Sequence, residues 1–191
     1  MKLSTNFLKD YIDIDVGVKQ LAEDMTRVGN EYDSASNLIN ATKLVIGQIT
    51  ECEPHPDSDH LHLCKVNIGT EVLDIVCGAP NARTGLKVIV ALDGAVLPEK
   101  TIKKGMIRGQ ESNGMLCSIA ELGLEHKFLK PEDSEGIAEL GEDAEIGGDP
   151  IKYLQMDDGV IDFELTANRG DLLSILGMAY EVGAIYDKKV K

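Results

Sequence analysis

Four cations, Lys100, Lys103, Lys104 and Arg108, fall within nine residues, and two short polar side chains, Ser112 and Asn113, follow them. Lysine and arginine at this density suit phosphate recognition. Each one displaces condensed counterions from a nucleic-acid backbone, so binding is electrostatic and weakens with salt. Lys65 and Arg83 extend the candidate set. Ser112 and Asn113 either meet nucleotide edges or cap the turn before Gly114, which is expected to need a tight or left-handed backbone. Taken alone, the cluster also fits an ordinary solvated β-edge, where lysine discourages aggregation.

Other chemistries find less support. His55, His60, His62 and Cys64 follow an H-x4-H-x-H-x-C spacing that matches no common zinc pattern. The prolines at 54 and 56 and the turn-forming Asp57 and Ser58 make this segment a structural loop instead. There is no G-x-S-x-G, no H-E-x-x-H and no phosphate-cradling G-x-x-x-x-G-K-[ST] element, so no catalytic residue is expected in this chain. Cys52, Cys64, Cys77 and Cys117 are scattered beside apolar runs, as small buried hydrophobes in a reducing compartment would be. No apolar run reaches the roughly 20 residues of a membrane helix, and the opening M-K-L-S-T-N-F-L-K-D lacks a signal-peptide pattern. A cytoplasmic protein is the expectation.

The formal charge of −14 speaks against nucleic acid, but its distribution softens the objection. Pro131 to Asp149 holds eight carboxylates and no Lys or Arg, whereas Lys43 to Lys130 holds ten basic residues against eleven acidic ones. The acidity is local.

The elements that must position these residues form three segments. In residues 1–40, a short helix from Ser4 or Thr5 is expected to bury Phe7, Leu8 and Tyr11. A second helix carries Leu21, Met25 and Val28 and stops at Gly29-Asn30. Residues 41–150 read as β: Leu44–Ile49, a hairpin of Leu61–Ile68 and Val72–Cys77, then Leu86–Leu92, Thr101–Ile107, Met115–Ser118 and Gly136–Leu140. A small helix at Ile119–Leu122 lies before the last of these. That series fits an OB-fold barrel better than a sandwich. In residues 151–191, a strand at Val160–Leu165 precedes a helix that places Leu172, Ile175, Leu176, Ala179, Val182 and Ile185 on one face, capped by Asn168 or Asp171. Each flank is near the size at which an unaided core fails. The expectation is an α+β chain, with a five-stranded barrel (41–150) inserted into one small, mainly helical, discontinuous domain (1–40 plus 151–191).

Four motifs carry a resemblance: H-P-x-x-D-x-L-x-x-C-K-V (His55–Val66), I-V-C-G-A-P-N (Ile75–Asn81), R-G-x-E-S-N-G-M-L-C-S (Arg108–Ser118) and E-L-T-x-N-R-x-D (Glu164–Asp171). The first three resemble the wider tRNA-binding barrel family. With the fourth and the opening L-S-T-N-F-L-K-D-Y, the chain resembles the N-terminal end of the bacterial phenylalanyl-tRNA synthetase β subunit. It departs at Ala167 and Gly170, where that family usually has proline, at Tyr180, where it tends to carry arginine, and at Phe7, where it tends to carry tryptophan.

The resemblance implies an N-terminal piece of a longer subunit, with the barrel inserted into a helical domain of a type likened to DNA-binding folds. It implies an α2β2 enzyme that joins phenylalanine to its tRNA with ATP and magnesium. The aminoacylation site would lie in the α subunit and the editing site further along β, leaving this piece without catalytic residues, metal or cofactor of its own. Its expected role is auxiliary tRNA contact through Lys65, Arg83, Lys100, Lys103, Lys104, Arg108, Ser112 and Asn113. Two other readings are a bracing module with no useful RNA contact, and a free-standing tRNA-binding protein. The strand and helix of 160–186 argue against the second.

Overall fold

A computed structural model describes residues 1–124, 129–130 and 136–191, and the chain divides into two compact units. One comprises Met1–Leu38 with Asp157–Lys191, the other Ile39–Met156.

In the first unit, β1 (Lys2–Ser4) leads into α1 (Thr5–Lys9), followed by α2 (Val18–Arg27) and β2 (Tyr32–Asn37). The unit was expected to be mainly helical, yet β1 and β2 flank β10 (Gly159–Phe163) in an antiparallel sheet. Tyr32–Asn37 shows no apolar alternation, so nothing local announces it as a strand. Its partner β10 carries the buried Ile161 and Phe163 and supplies the reason to pair. Asp158 accepts from Ser4 Oγ (2.5 Å), Thr5 Oγ1 (3.0 Å) and the Asn6 N–H (2.9 Å), fixing the start of α1. That helix buries Leu8 alone; Phe7 and Tyr11, expected inside, are exposed. Helix α2 buries Leu21, Ala22 and Met25 and ends before Gly29, whose φ is +96°, and Val28 is left outside.

The second unit holds β3 (Leu44–Pro54), β4 (His62–Asn67), β5 (Val72–Cys77), β6 (Lys87–Leu92), β7 (Gly105–Ile107), β8 (Gln110–Ser112) and β9 (Gly114–Cys117). Five of them form a curled antiparallel sheet in the order β5-β4-β3-β6-β9. One edge, β5, is joined to the residues that lead into the other, β9. The Asn113 N–H donates to the Asp74 carbonyl (2.8 Å), and the Val76 N–H donates to Ser112 Oγ (3.1 Å). Gly114 has no positive φ. It is constrained by approach, because a Cβ there would lie 2.7 Å from the Ala91 carbonyl oxygen across the β6–β9 pair. One core cluster contains Ile49, Val66, Ile75 and Val88, and another contains Ile89, Leu97, Ile102 and Leu122.

Three details differ from the sequence expectation. Thr101–Ile107 is not one strand: Thr101 makes a single bridge to Val96, and pairing resumes at Gly105. Gly136–Leu140 forms no strand: its pairing is the Leu140–Lys87 bridge and an Ala138 N–H bond to the Cys117 carbonyl, and Asn81 binds the Ile137 main chain. Ile119–Leu122 narrows to a 3-10 turn at Ala120–Leu122, closed by Gly123 in the left-handed conformation. The unit continues through α3 (Pro150–Tyr153), since Ile151, Leu154 and Met156 pack on the Ile89 cluster.

The last helix, α4 (Ile175–Tyr186), is shorter than its periodicity suggests. Gly170–Leu173 is a separate 3-10 turn, and Ser174, rather than Asn168 or Asp171, caps the helix by accepting from the Gly177 N–H (3.0 Å). The break rotates the buried face to Met178, Ala179, Val182 and Gly183 and leaves Leu176 exposed. No helix of the described residues is long and apolar enough to cross a membrane.

Candidate nucleic-acid interface

The β7–β8 hairpin is the exposed basic element of the second unit. Ile107 pairs with Gln110 across a two-residue turn whose members, Arg108 (φ +47°) and Gly109 (φ +82°), both lie in the left-handed region, the signature of a type I′ hairpin. Every residue from Lys103 to Gly109 is exposed. The hairpin carries more than charge: Met106 is 67% exposed and Ile107 41%, an apolar pair between the cations of 103–104 and Arg108. Sequence reasoning passed over these two, because M-I between two glycines has no periodicity to show which way it faces.

The candidate cations divide into two groups. Lys103 and Lys104 have no ion-pair partner among the described residues, and the Lys104 N–H donates to Asp93 Oδ1 (2.9 Å), which fixes the approach to the hairpin. Arg108 donates from Nη1 to the Asp57 carbonyl (3.0 Å). These three share one stretch of surface chain. Lys65, Arg83 and Lys100 do not join them, each being held by a carboxylate. Lys65 Nζ lies 2.8 Å from Glu51 Oε2, and the hydrogen bond to Glu51 and the nearby charges of Asp74 and Glu53 push its pKa up. Arg83 forms a bidentate pair with Glu139 (2.7 and 2.6 Å), which pushes its own pKa up and pulls that of Glu139 down. Lys100 Nζ lies 2.7 Å from Glu121 Oε1. A cation already bound to a carboxylate gains less from a phosphate.

Ser112 is 3% exposed, and its hydroxyl accepts from the Val76 N–H and donates to the Gly114 carbonyl (3.1 Å). Both functions of the hydroxyl serve sheet closure, so it is not a group presented to nucleotide edges. Asn113 is half-buried, with its N–H on Asp74. A groove of about 620 Å³ runs beside this closure, lined by Val76, Leu97, Pro98, Met115 and Leu116 and including the Lys100–Glu121 pair.

His55 and His60 lie in the β3–β4 loop, where His55 is buried, while His62 and Cys64 belong to β4. Among the described residues no group of three or more His, Cys, Asp or Glu is arranged to hold a metal. The four cysteines are free thiols. Cys52 Sγ lies 3.8 Å from Cys64 Sγ across β3–β4, and burial pushes Cys117 up to about 12 and raises Cys64 and Cys77.

A curled five-stranded sheet carrying an exposed basic hairpin is the frame of a nucleic-acid-binding module. Residues 44–149 match the family described as "Putative tRNA binding domain", and the chain belongs to that family. Over 99% of its length it is 47% identical to the phenylalanine–tRNA ligase beta subunit of Lactiplantibacillus plantarum, and over all of it 47% identical to that of Streptococcus pneumoniae. It spans 24% of each, about a quarter of the length of the curated relatives it matches. A solved MetRS related protein from Pyrococcus horikoshii aligns with 55% of this chain and 85% of its own at 21% identity, with a TM-score of 0.41.

Proposed function

We propose that this chain acts as the N-terminal, non-catalytic part of a phenylalanine–tRNA ligase β subunit and contributes auxiliary contacts to tRNA. The observation that carries the reading is the exposed hairpin with Lys103, Lys104 and Arg108, inside the segment that matches the tRNA-binding family. The cations would track phosphates, while Met106 and Ile107 offer apolar surface to sugars or bases. In this reading the barrel is of the OB type, closed between β5 and the β8–β9 segment, and the two flanks form one discontinuous domain. The complete enzyme would be a cytoplasmic α2β2 assembly that uses ATP and magnesium at sites outside this chain.

Titration of the chain with tRNA at two salt concentrations tests this. K103A/K104A should weaken binding and lower the log–log salt slope by roughly one to two. Unchanged affinity of the double variant at low salt would sink the assignment. It would favour the bracing-module reading, which the pairing of Lys65, Arg83 and Lys100 with carboxylates supports.

A further inference from the structure

His55 is 3% exposed, in a loop that closes on itself: its N–H donates to the Leu61 carbonyl (2.9 Å), and the Ser58 N–H donates to the His55 carbonyl (3.3 Å). The imidazole Nδ1 accepts from the Asp57 N–H (3.0 Å), which places the ring proton on Nε2. Nε2 is buried and has no hydrogen-bond partner among the described residues. The ring's one hydrogen bond among the described residues is therefore the one from the Asp57 N–H. The bond runs from a side chain to the N–H two residues on, the geometry by which Asn and Asp form Asx turns.

The consequence reaches the hairpin. The Ser58 N–H and the Asp57 carbonyl belong to one planar trans peptide and point in opposite directions. With that N–H bound inward to the His55 carbonyl and the Asp57 N–H bound to the His55 ring, the Asp57 carbonyl is turned outward. There it accepts from Arg108 Nη1 (3.0 Å). A neutral carbonyl holds the guanidinium without cancelling its charge, unlike the carboxylate on Arg83, and among the described residues the other N–H donors of Arg108 have no partner and can meet a phosphate.

We propose that His55 is a positioning residue for RNA: it sets the Asp57 carbonyl that aims the Arg108 guanidinium, so the β3–β4 loop and the β7–β8 hairpin act as one phosphate-binding device. This rests on the tRNA-binding reading above.

The test is titration of the 191-residue chain with bulk bacterial tRNA at low salt, with thermal melting to confirm folding. Arg108→Ala should weaken binding about fivefold, and His55→Leu by a similar factor. His55→Asn, whose Oδ1 can accept the same N–H, should stay within about twofold of the parent. The double variant H55L/R108A should lose no more than R108A alone, because both changes remove one device. Should His55→Leu not fold, Asp57→Pro removes the donated N–H while keeping the carbonyl, and should show the same loss and the same lack of additivity. Parent-like affinity for H55L or D57P, or losses that multiply in the double variant, would overturn the proposal. No effect of R108A would overturn it as well. If K103A/K104A still weakened binding in that case, the tRNA-binding reading would stand without it.

Discussion

At the residue scale, a charged side chain here is defined by its partner more than by its own sign. Arg169 donates to Asp171 and to Glu181, while the buried Asn30 bridges the two sides, accepting from Arg169 Nη1 (3.1 Å) and donating to Glu181 Oε1 (2.8 Å). These hydrogen bonds hold the Glu181 carboxyl below its ordinary value of 4.5. Its folded pKa is lowered, so its stabilising effect is full above that ordinary value and disappears as pH falls through the lower folded one. Glu181→Gln should therefore cost roughly 1–3 kcal/mol near pH 7, and urea titrations should find the gap from the parent closing below about pH 4. A gap independent of pH would refute the assignment. The same principle limited what the sequence could disclose about the interface. Lys65, Arg83 and Lys100 have the right residue type, but their partners Glu51, Glu139 and Glu121 lie 14, 56 and 21 positions away and meet them only through folding. Accordingly Arg83→Ala should alter tRNA affinity less than about twofold, well short of the K103A/K104A effect in the same gel-shift titration.

At the element scale, local signals were legible where one face or one turn decides the matter. The β4–β5 hairpin has alternating apolar residues around Gly69, whose φ is +90°, and it forms where expected. The register of β3–β6–β9 comes from strand pairing across long loops and carries no local mark. Helix α4 shows how a good period can mislead. Leu172 and Leu176 obey i, i+4 spacing, yet the 3-10 turn between Gly170 and Leu173 puts Leu172 in the core and Leu176 at 42% exposure. Leu172→Ala should cost about 2–5 kcal/mol in chemical denaturation, and Leu176→Ala under about 0.5. Gly177 explains the tight break: a Cβ there would collide with the Asp171 carbonyl oxygen, which is backbone and cannot yield. Gly177→Ala should lower the melting temperature far more than Ser174→Ala, whose lost cap costs about 1 kcal/mol.

At the scale of the whole molecule, the charge of −14 coexists with a nucleic-acid-binding family because the carboxylates are placed for structural work. Glu139 clamps Arg83, Asp143 accepts from the Tyr153 hydroxyl (2.8 Å), and Asp149 caps α3. The β7–β8 hairpin and its approach offer phosphate three exposed cations, Lys103, Lys104 and Arg108. The log–log salt slope of tRNA binding should then lie between about −2 and −3, and affinity should fall roughly 15- to 60-fold from 50 to 200 mM salt. A slope near zero would leave the hairpin without an electrostatic role. The two core clusters of Ile39–Met156 are built from that unit's own residues. A chain of these residues alone should melt cooperatively in calorimetry, whereas non-cooperative melting would show that the flanks are needed for its fold.

The join between β5 and the residues leading into β9 gives the curled sheet a weak line. Elsewhere neighbouring strands are joined by ladders of main-chain bonds; here the join includes one main-chain bond, Asn113 to Asp74, and one that borrows the Ser112 hydroxyl. Thermal opening should begin at this line. In deuterium exchange the Val76 and Asn113 amides should label before those of Val88–Ala91, and Ser112→Ala should speed Val76 labelling while leaving the latter slow. The curled sheet would then be a clasp, able to loosen at one seam while the rest of its strands stay paired.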